Sequence, residues 1–235
     1  MRKFLVLATA LVLLVGCGGD DSESSQPTTA PTSAQPTPEQ DKARAGRIVL
    51  TAADLPGYTE DPDSDEDDDD ETERVLGGCV QNDPVLTADE PESPRTVEGK
   101  EFNKGETQSV SSTATIAETQ EQAEAALAQL RNQTVLNCLE SGARRELAGS
   151  VGPGATVQAV SVSSLPVPTV GDEAVGLRIE ATITAQGQTV RVTTDVTAVR
   201  RERAVAFLST TGVRNPFSPS ERQALATRMA DRMGP

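Results

Sequence analysis

The sequence predicts an α+β domain, helices packed on an antiparallel β-sheet, behind a tether that cannot form a core. Three observations carry this reading. From Val175 to Ser209 apolar and polar residues alternate through successive strands separated by short turn signals. Residues 119–140 and 218–233 instead repeat their apolar positions every three or four residues, as one face of a helix requires. Upstream, residues 18–45 are Ser, Thr, Pro and acidic residues with almost nothing apolar to bury, so folding cannot offset their chain entropy. The remaining stretch, 46–235, has the length of one domain with its own core.

Taken in order, Ile48-Val49-Leu50 leads into Thr51-Ala52-Ala53-Asp54, where Thr51 as N-cap and Pro56-Gly57 as a stop predict a single helical turn. The run from Glu60 to Glu71 carries too many adjacent carboxylates to be buried and is expected to be a surface loop. Residues 82–94 continue as loop, punctuated by Pro84, Pro91 and Pro94. Val110, Ser112, Ala114 and Ile116 mark one face of a strand. A helix is expected from about Thr119 to Glu140, with Ala123, Leu127, Leu130, Thr134 and Cys138 on one face and Gly142 ending or fraying it.

Val157–Leu165 reads as another strand. Val175, Leu177, Ile179, Ala181 and Ile183 then face inward in a half-buried strand, Gln186-Gly187 turns, and Val190, Val192, Thr194, Val196 and Ala198 return. On that return strand Arg191, Thr193, Asp195 and Thr197 are expected to face out. Arg201-Glu202 offers the next turn and Ala204–Ser209 the third strand of a meander. Ser218-Pro219-Ser220-Glu221 spells a capping box with proline at the first helical position. Leu225, Ala226, Met229 and Met233 form the buried stripe behind it, and Gly234 terminates the helix.

At the N-terminus, Arg2 and Lys3 precede an apolar stretch from Phe4 to Val15, which is too short to span a membrane comfortably. It ends in Leu14-Val15-Gly16-Cys17, which resembles the lipobox of bacterial lipoproteins. The resemblance implies a signal peptide over 1–16, cleavage before Cys17, and acyl chains on that cysteine. The mature chain would then begin with a lipidated cysteine and a disordered tether (17–45) and carry the α+β domain (46–235) on the extracytoplasmic face of the cell membrane. With Cys17 assigned to lipid, Cys79 and Cys138 remain as one pair, and outside the cytoplasm such a pair normally oxidises. Arginine supplies 17 of the 21 basic residues, and Ala, Val, Thr and Gly are abundant, a bias that suggests a GC-rich, actinobacterial genome.

Composition excludes several function classes. The chain has no histidine, which removes Ser-His-Asp and Cys-His catalysis and the commonest transition-metal ligand. It has no tryptophan, and after residue 17 only Tyr58, Phe102, Phe207 and Phe217 are aromatic, too few for sugar or nucleobase platforms. A net charge of -15 opposes nucleic-acid binding. No cofactor is expected.

The order of elements is similar to a known family. The features are Leu50-Thr51-Ala52-Ala53-Asp54-Leu55-Pro56, a cysteine at 79, a strand feeding an alanine-rich helix that ends Asn137-Cys138, and Val170-Gly171-Asp172-Glu173-Ala174-Val175-Gly176-Leu177-Arg178 before a hairpin and a terminal helix. They resemble the extracellular sensor domain of PknH-like serine/threonine kinases and the free-standing lipoproteins that share it. The resemblance runs from Gly46 to Met233 and implies an α+β sandwich with a cleft and a ligand-sensing role. Kinase-linked members carry two disulfides, whereas this chain has cysteines for one.

Four candidate sites follow. Asp61, Asp63, Asp65 and Asp67 present alternating carboxylates to a hard cation such as calcium, but Glu66 and Thr72 stand where an EF-hand loop needs glycine and glutamate. A solvated loop is the expected reading there. Asp172 and Glu173 after Gly171 form a carboxylate pair, for which a turn and strand cap is the expected role. Arg144-Arg145 and Arg200-Arg201 with Arg203 are cationic clusters, expected to balance nearby carboxylates rather than bind an anion. The fourth is a cleft between helix and sheet. Together these predict a non-catalytic envelope lipoprotein that recognises a ligand or partner, with a structural adaptor acting through protein contacts as the alternative.

Overall fold

The computed structural model describes residues 36–62, 78–80, 83, 85–86 and 94–234. Helix α1 (Pro38–Ile48) opens it, so the domain begins inside the stretch assigned to the tether. A local signal explains the difference. Thr37 accepts from the Gln40 amide, the Gln40 side chain accepts from the Thr37 amide, and Pro38 sits at the first helical position. Only Asp41, Ala45 and Ile48 of this helix are buried, which is too sparse an apolar stripe to stand out in a polar segment.

The expected turn after Leu50 is a 3-10 helix, Ala52–Asp54, with the Asp54 carboxylate accepting from both the amide and the hydroxyl of Thr51. Short strands β1 (Thr59–Glu60), β2 (Thr96–Glu98) and β3 (Phe102–Lys104) follow, then β4 (Gln108–Ile116). The predicted long helix is two helices, α2 (Gln120–Gln129) and α3 (Gln133–Ser150). Asn132 divides them: its side chain accepts the Thr134 amide and so starts a new helix. Because the helical phase resets there, Thr134 is exposed and Val135, Leu136 and Leu139 take the inward positions. Gly142 lies in the middle of α3, which runs on to Ser150.

Strands β5 (Ala155–Leu165), β6 (Glu173–Ala185), β7 (Gln188–Arg201) and β8 (Ala204–Val213) form the antiparallel meander, and α4 (Pro219–Arg232) closes the chain. All the described strands join one antiparallel sheet in the order β1-β3-β4-β8-β7-β6-β5, with β2 also paired to β4. At the β6–β7 turn both Gln186 and Gly187 have positive φ, 51° and 75°, as a two-residue hairpin of this twist demands.

Both faces of the sheet carry a core. On the first face α1 and α4 bury Val110, Ala114 and Ile116 of β4, Ala204, Ala206 and Leu208 of β8, and Val199 of β7. On the second face α2 and α3 cover Val175, Leu177, Ala198 and Val205. This two-sided cover corrects the reading of β7. Thr193, Asp195 and Thr197 lie under the first layer and are buried, while Val190, Val192, Thr194 and Val196 are only half-buried. Alternation identifies the two faces of a strand but not which of them a later helix will cover.

Helix α3 also shields the outer edge of the sheet. Arg144 Nη2 donates to the Val160 carbonyl at 3.0 Å, and Glu140 Oε2 accepts the Val162 amide at 3.5 Å. Side chains from the helix thus take backbone groups of β5 that a further strand would otherwise pair.

Candidate functional site

Cys79 and Cys138 meet as expected: their sulfurs are 2.12 Å apart and their Cα atoms 5.6 Å. The bridge ties the segment bearing Val80, Val85 and Leu86, all buried, to α3. Cys17 lies outside the described residues, as do Asp63, Asp65 and Asp67. Asp61 is described, and its carboxylate accepts from Asn103 Nδ2 at 2.7 Å. Among the described residues no group of three or more His, Cys, Asp or Glu side chains is placed to hold a metal ion. No described helix is long and apolar enough to cross a membrane.

The stretch Gly171–Arg178 has a structural reason at nearly every position. Gly171 has φ 68°, and a Cβ there would stand 2.5 Å from the Arg200 carbonyl oxygen. The Asp172 amide donates to that same carbonyl at 2.8 Å, and its carboxylate accepts the Glu202 amide at 2.7 Å. Glu173 accepts from Arg131 and, at 3.2 Å, from Arg200. Burial raises the Glu173 pKa, but the two guanidiniums outweigh it and hold the group below the usual carboxylate range. A depressed pKa is the wrong direction for a general acid. Gly176 lets the backbone of Leu165 approach, since a Cβ there would meet its carbonyl oxygen at 2.5 Å.

Arg178 ends the stretch and reaches the least expected feature of the domain. It binds Asp195 through two bonds, Nε to Oδ1 at 2.6 Å and Nη2 to Oδ2 at 2.8 Å. Arg222, from the first turn of α4, adds Nη1 to Oδ2 at 2.5 Å. Asp195 is fully buried and Arg222 is 6 % exposed. Burial lowers the Arg222 pKa, Asp195 opposes that shift, and Arg178 adds to it. Sequence pattern assigned Asp195 to solvent. The available signal was Arg222 within the first turn of an otherwise apolar-striped helix.

In the other arginine clusters Arg144, Arg200 and Arg203 are engaged, whereas the side chains of Arg145 and Arg201 bond no described residue. Arg200 approaches Asp172, Glu173 and Glu124, and Arg203 pairs with buried Asp41 at 2.8 Å, alongside Arg95 at 3.2 Å. Arg144 serves the β5 edge, while Arg145 is exposed. At the end of the chain Arg232 bonds Asp54 at 2.6 Å, and Arg228 donates to the Asp54 carbonyl at 2.5 Å. Burial raises the Asp54 pKa, yet Arg232 and Thr51 carry it below the usual range.

The capping box at α4 does not form. The Ser218 hydroxyl lies 2.8 Å from that of Ser220 and accepts no helix amide, and Glu221 takes the Tyr58 hydroxyl at 3.2 Å. Burial and the Glu221 carboxylate both push the Tyr58 pKa up.

An open cleft of about 360 Å³ lies between the segment that follows α1 and the β2–β3 connection. Val49, Leu50 and Phe102 line it with apolar surface, and Glu60, Glu98 and Lys100 bring charge to it. Gly99 makes the close approach possible: a Cβ there would stand 2.8 Å from Ser112 Oγ and 3.2 Å from Val49 Cβ. Ser112 Oγ in turn accepts the Leu50 amide at 2.9 Å, which fixes one wall. Apolar lining with a few charged groups suits an amphipathic small molecule or peptide side chain. Comparison with known protein families and with curated proteins finds no match for this chain.

Proposed function

We propose that this chain is a cell-envelope lipoprotein, anchored through Cys17 on the extracytoplasmic face of the membrane, whose folded domain recognises a ligand or partner without catalysing a reaction. The joined pair Cys79–Cys138 carries the reading, because such bridges persist in oxidising compartments and are rare in the cytoplasm. The lipobox-like Leu14-Val15-Gly16-Cys17 and the resemblance to sensor domains of PknH-like kinases agree with it. So does the pairing of carboxylates with arginine. Arg232 holds Asp54, and Arg131 and Arg200 hold Glu173, below the usual carboxylate range, which favours the ionised form over proton transfer. The cleft by Lys100 is the proposed ligand site.

The adaptor reading rests on a different observation. Ile179, Val192, Val196 and Phe207 leave part of the second sheet face half-buried, an apolar strip suited to a protein contact.

Two measurements test the proposal. Wild-type chain should incorporate radioactive palmitate in an actinobacterial host and Cys17→Ala should not; equal labelling refutes the anchor. Native mass spectrometry of the exported protein should show an adduct of small-molecule mass that Lys100→Ala weakens. A bare chain that crosslinks to another envelope protein through Val192 or Phe207 would favour the adaptor.

A further inference from the structure

Most arginines in this acidic protein are engaged, but two that stand side by side are not. Arg191 on β7 and Arg214, just after β8, are both exposed, and neither side chain bonds any described residue. The Arg214 amide donates to the Arg191 carbonyl at 2.6 Å, extending the ladder one step past the Val192–Val213 pair. Arg214 stands just past the end of β8, so the ladder brings the two arginine backbones together without fixing which face the Arg214 side chain takes. Arg214 also holds φ 69°, a conformation arginine rarely adopts.

The surroundings are rich in unused donors. By alternation Arg191 shares the first sheet face with Thr193 and Asp195, on which the first turn of α4 sits through the Arg222–Asp195 bond. At its other end the Met233 carbonyl accepts from Arg44, which also reaches Glu202 at the β7–β8 turn, so α4 runs from Asp195 toward that turn and its N-terminus lies at the Arg191 end of β7. Thr193, opposite Gly212 and Glu180, is 2 % exposed, and its hydroxyl bonds no described residue. Arg222 is nearly as buried and spends one Nη1 bond on Asp195. The Ser218 side chain leaves the amides of the first helical turn uncapped. Arg178, Arg191, Arg214 and Arg222 outnumber Asp195, Glu180 and Glu221, and Asp195 and Glu221 are already bonded.

We propose that this corner binds a phosphate group, held by the Arg191 and Arg214 guanidiniums against the Thr193 hydroxyl and the N-terminus of α4. Two planar donor forks, a hydroxyl and helix amides supply the charge and the spread of donors that a tetrahedral dianion takes up. The phosphate comes either from a soluble phosphorylated compound or from an anionic phospholipid headgroup, and the test separates the two.

The full chain is reconstituted in phosphatidylcholine nanodiscs and treated with phenylglyoxal, and arginine modification is followed residue by residue by mass spectrometry. Exposed Arg145 is the internal control. With 20 mM inorganic phosphate at fixed ionic strength, Arg191 and Arg214 should react about fivefold or more slowly, with Arg145 unchanged. Protection by inorganic phosphate assigns a soluble ligand. Protection only when phosphatidylglycerol replaces part of the phosphatidylcholine assigns a headgroup. Unchanged rates at both arginines under both conditions overturn the proposal. The variant Arg191→Gln/Arg214→Gln should fold, melting no lower than wild type, and should lose any rise in Tm that phosphate or phosphatidylglycerol produces; an equal rise in this variant also overturns it.

Discussion

Removing the Asp195 carboxylate tests the account of how α4 is held to the sheet. Asp195→Ala leaves Arg178 and Arg222 facing each other with no anion between them. Arg178 is 26 % exposed through its side chain and turns partly to water, whereas Arg222 at 7 % has no such route. Breaking a buried ion pair by deleting one partner costs about 3–5 kcal/mol, and with two guanidiniums stranded but one of them able to turn to water about 4 kcal/mol is expected. For a domain of this size that is a fall in Tm of about 8–16 °C. In urea it is a midpoint lower by about 2 M if m is near 2 kcal/mol/M. The assay is equilibrium urea unfolding followed by circular dichroism with the disulfide intact. The decisive comparison is Asp195→Leu/Arg222→Met, which removes the stranded charge as well. It should recover about 2 kcal/mol or more of the loss, because an apolar pair needs no desolvated ion to be compensated. A single variant within about 1 kcal/mol of wild type, or a double variant no better than the single, refutes the reasoning.

Three further outcomes are expected. Cys79→Ala/Cys138→Ala frees a loop with a sequence separation of 59 and should lose about 4 kcal/mol in the chain-entropy model, measured by the same urea titration under non-reducing conditions. Glu173 has a folded pKa depressed by Arg131 and Arg200, so its stabilisation is present above the unfolded-state value and is lost as pH falls through the folded one. Glu173→Gln should therefore narrow the gap between midpoints measured at pH 7 and pH 3, and an unchanged gap would contradict the assignment. Gly171→Ala places a Cβ against the Arg200 carbonyl at positive φ and should cost about 2 kcal/mol or more, whereas Gly149→Ala, with open space around it inside α3, should be neutral or stabilising.

What was legible in the sequence follows from how local each signal is. The β6–β7 hairpin was readable because its side chains alternate without interruption and Gln186-Gly187 supplies the turn. Helix α1 was missed although Thr37-Pro38-Glu39-Gln40 spells its start, because three buried side chains do not raise a polar segment above the composition of a tether. The break at Asn132 was missed because one asparagine side chain resets the helical phase, and apolar spacing continues through 130–138 in a form that fits one helix about as well as two. The capping box failed for the opposite reason: the local motif is present, but Tyr58, from the far side of the sheet sequence, claims Glu221.

The Asp195 error is the most instructive, because it concerns the same surface as the proposed phosphate site. A strand with apolar residues on one face and Arg191, Thr193, Asp195 and Thr197 on the other reads as half-solvated, and an isolated meander would be so. Helix α4 changes that by covering the polar face, so each polar group beneath it must find a partner or remain unsatisfied. Asp195 finds two arginines. Among the described residues Thr197 Oγ1 is the buried side-chain atom that finds none. Sequence alone does not locate that deficit, since it arises from an element some twenty-five residues away. Thr197 is enclosed by Gly176 and Leu208, its neighbours on either side, and is a local cost. The Thr193 hydroxyl is not sealed in this way and lies on the strand beside Arg191, where a single bound anion would meet the hydroxyl and neutralise the charge of Arg191 and Arg214 at once.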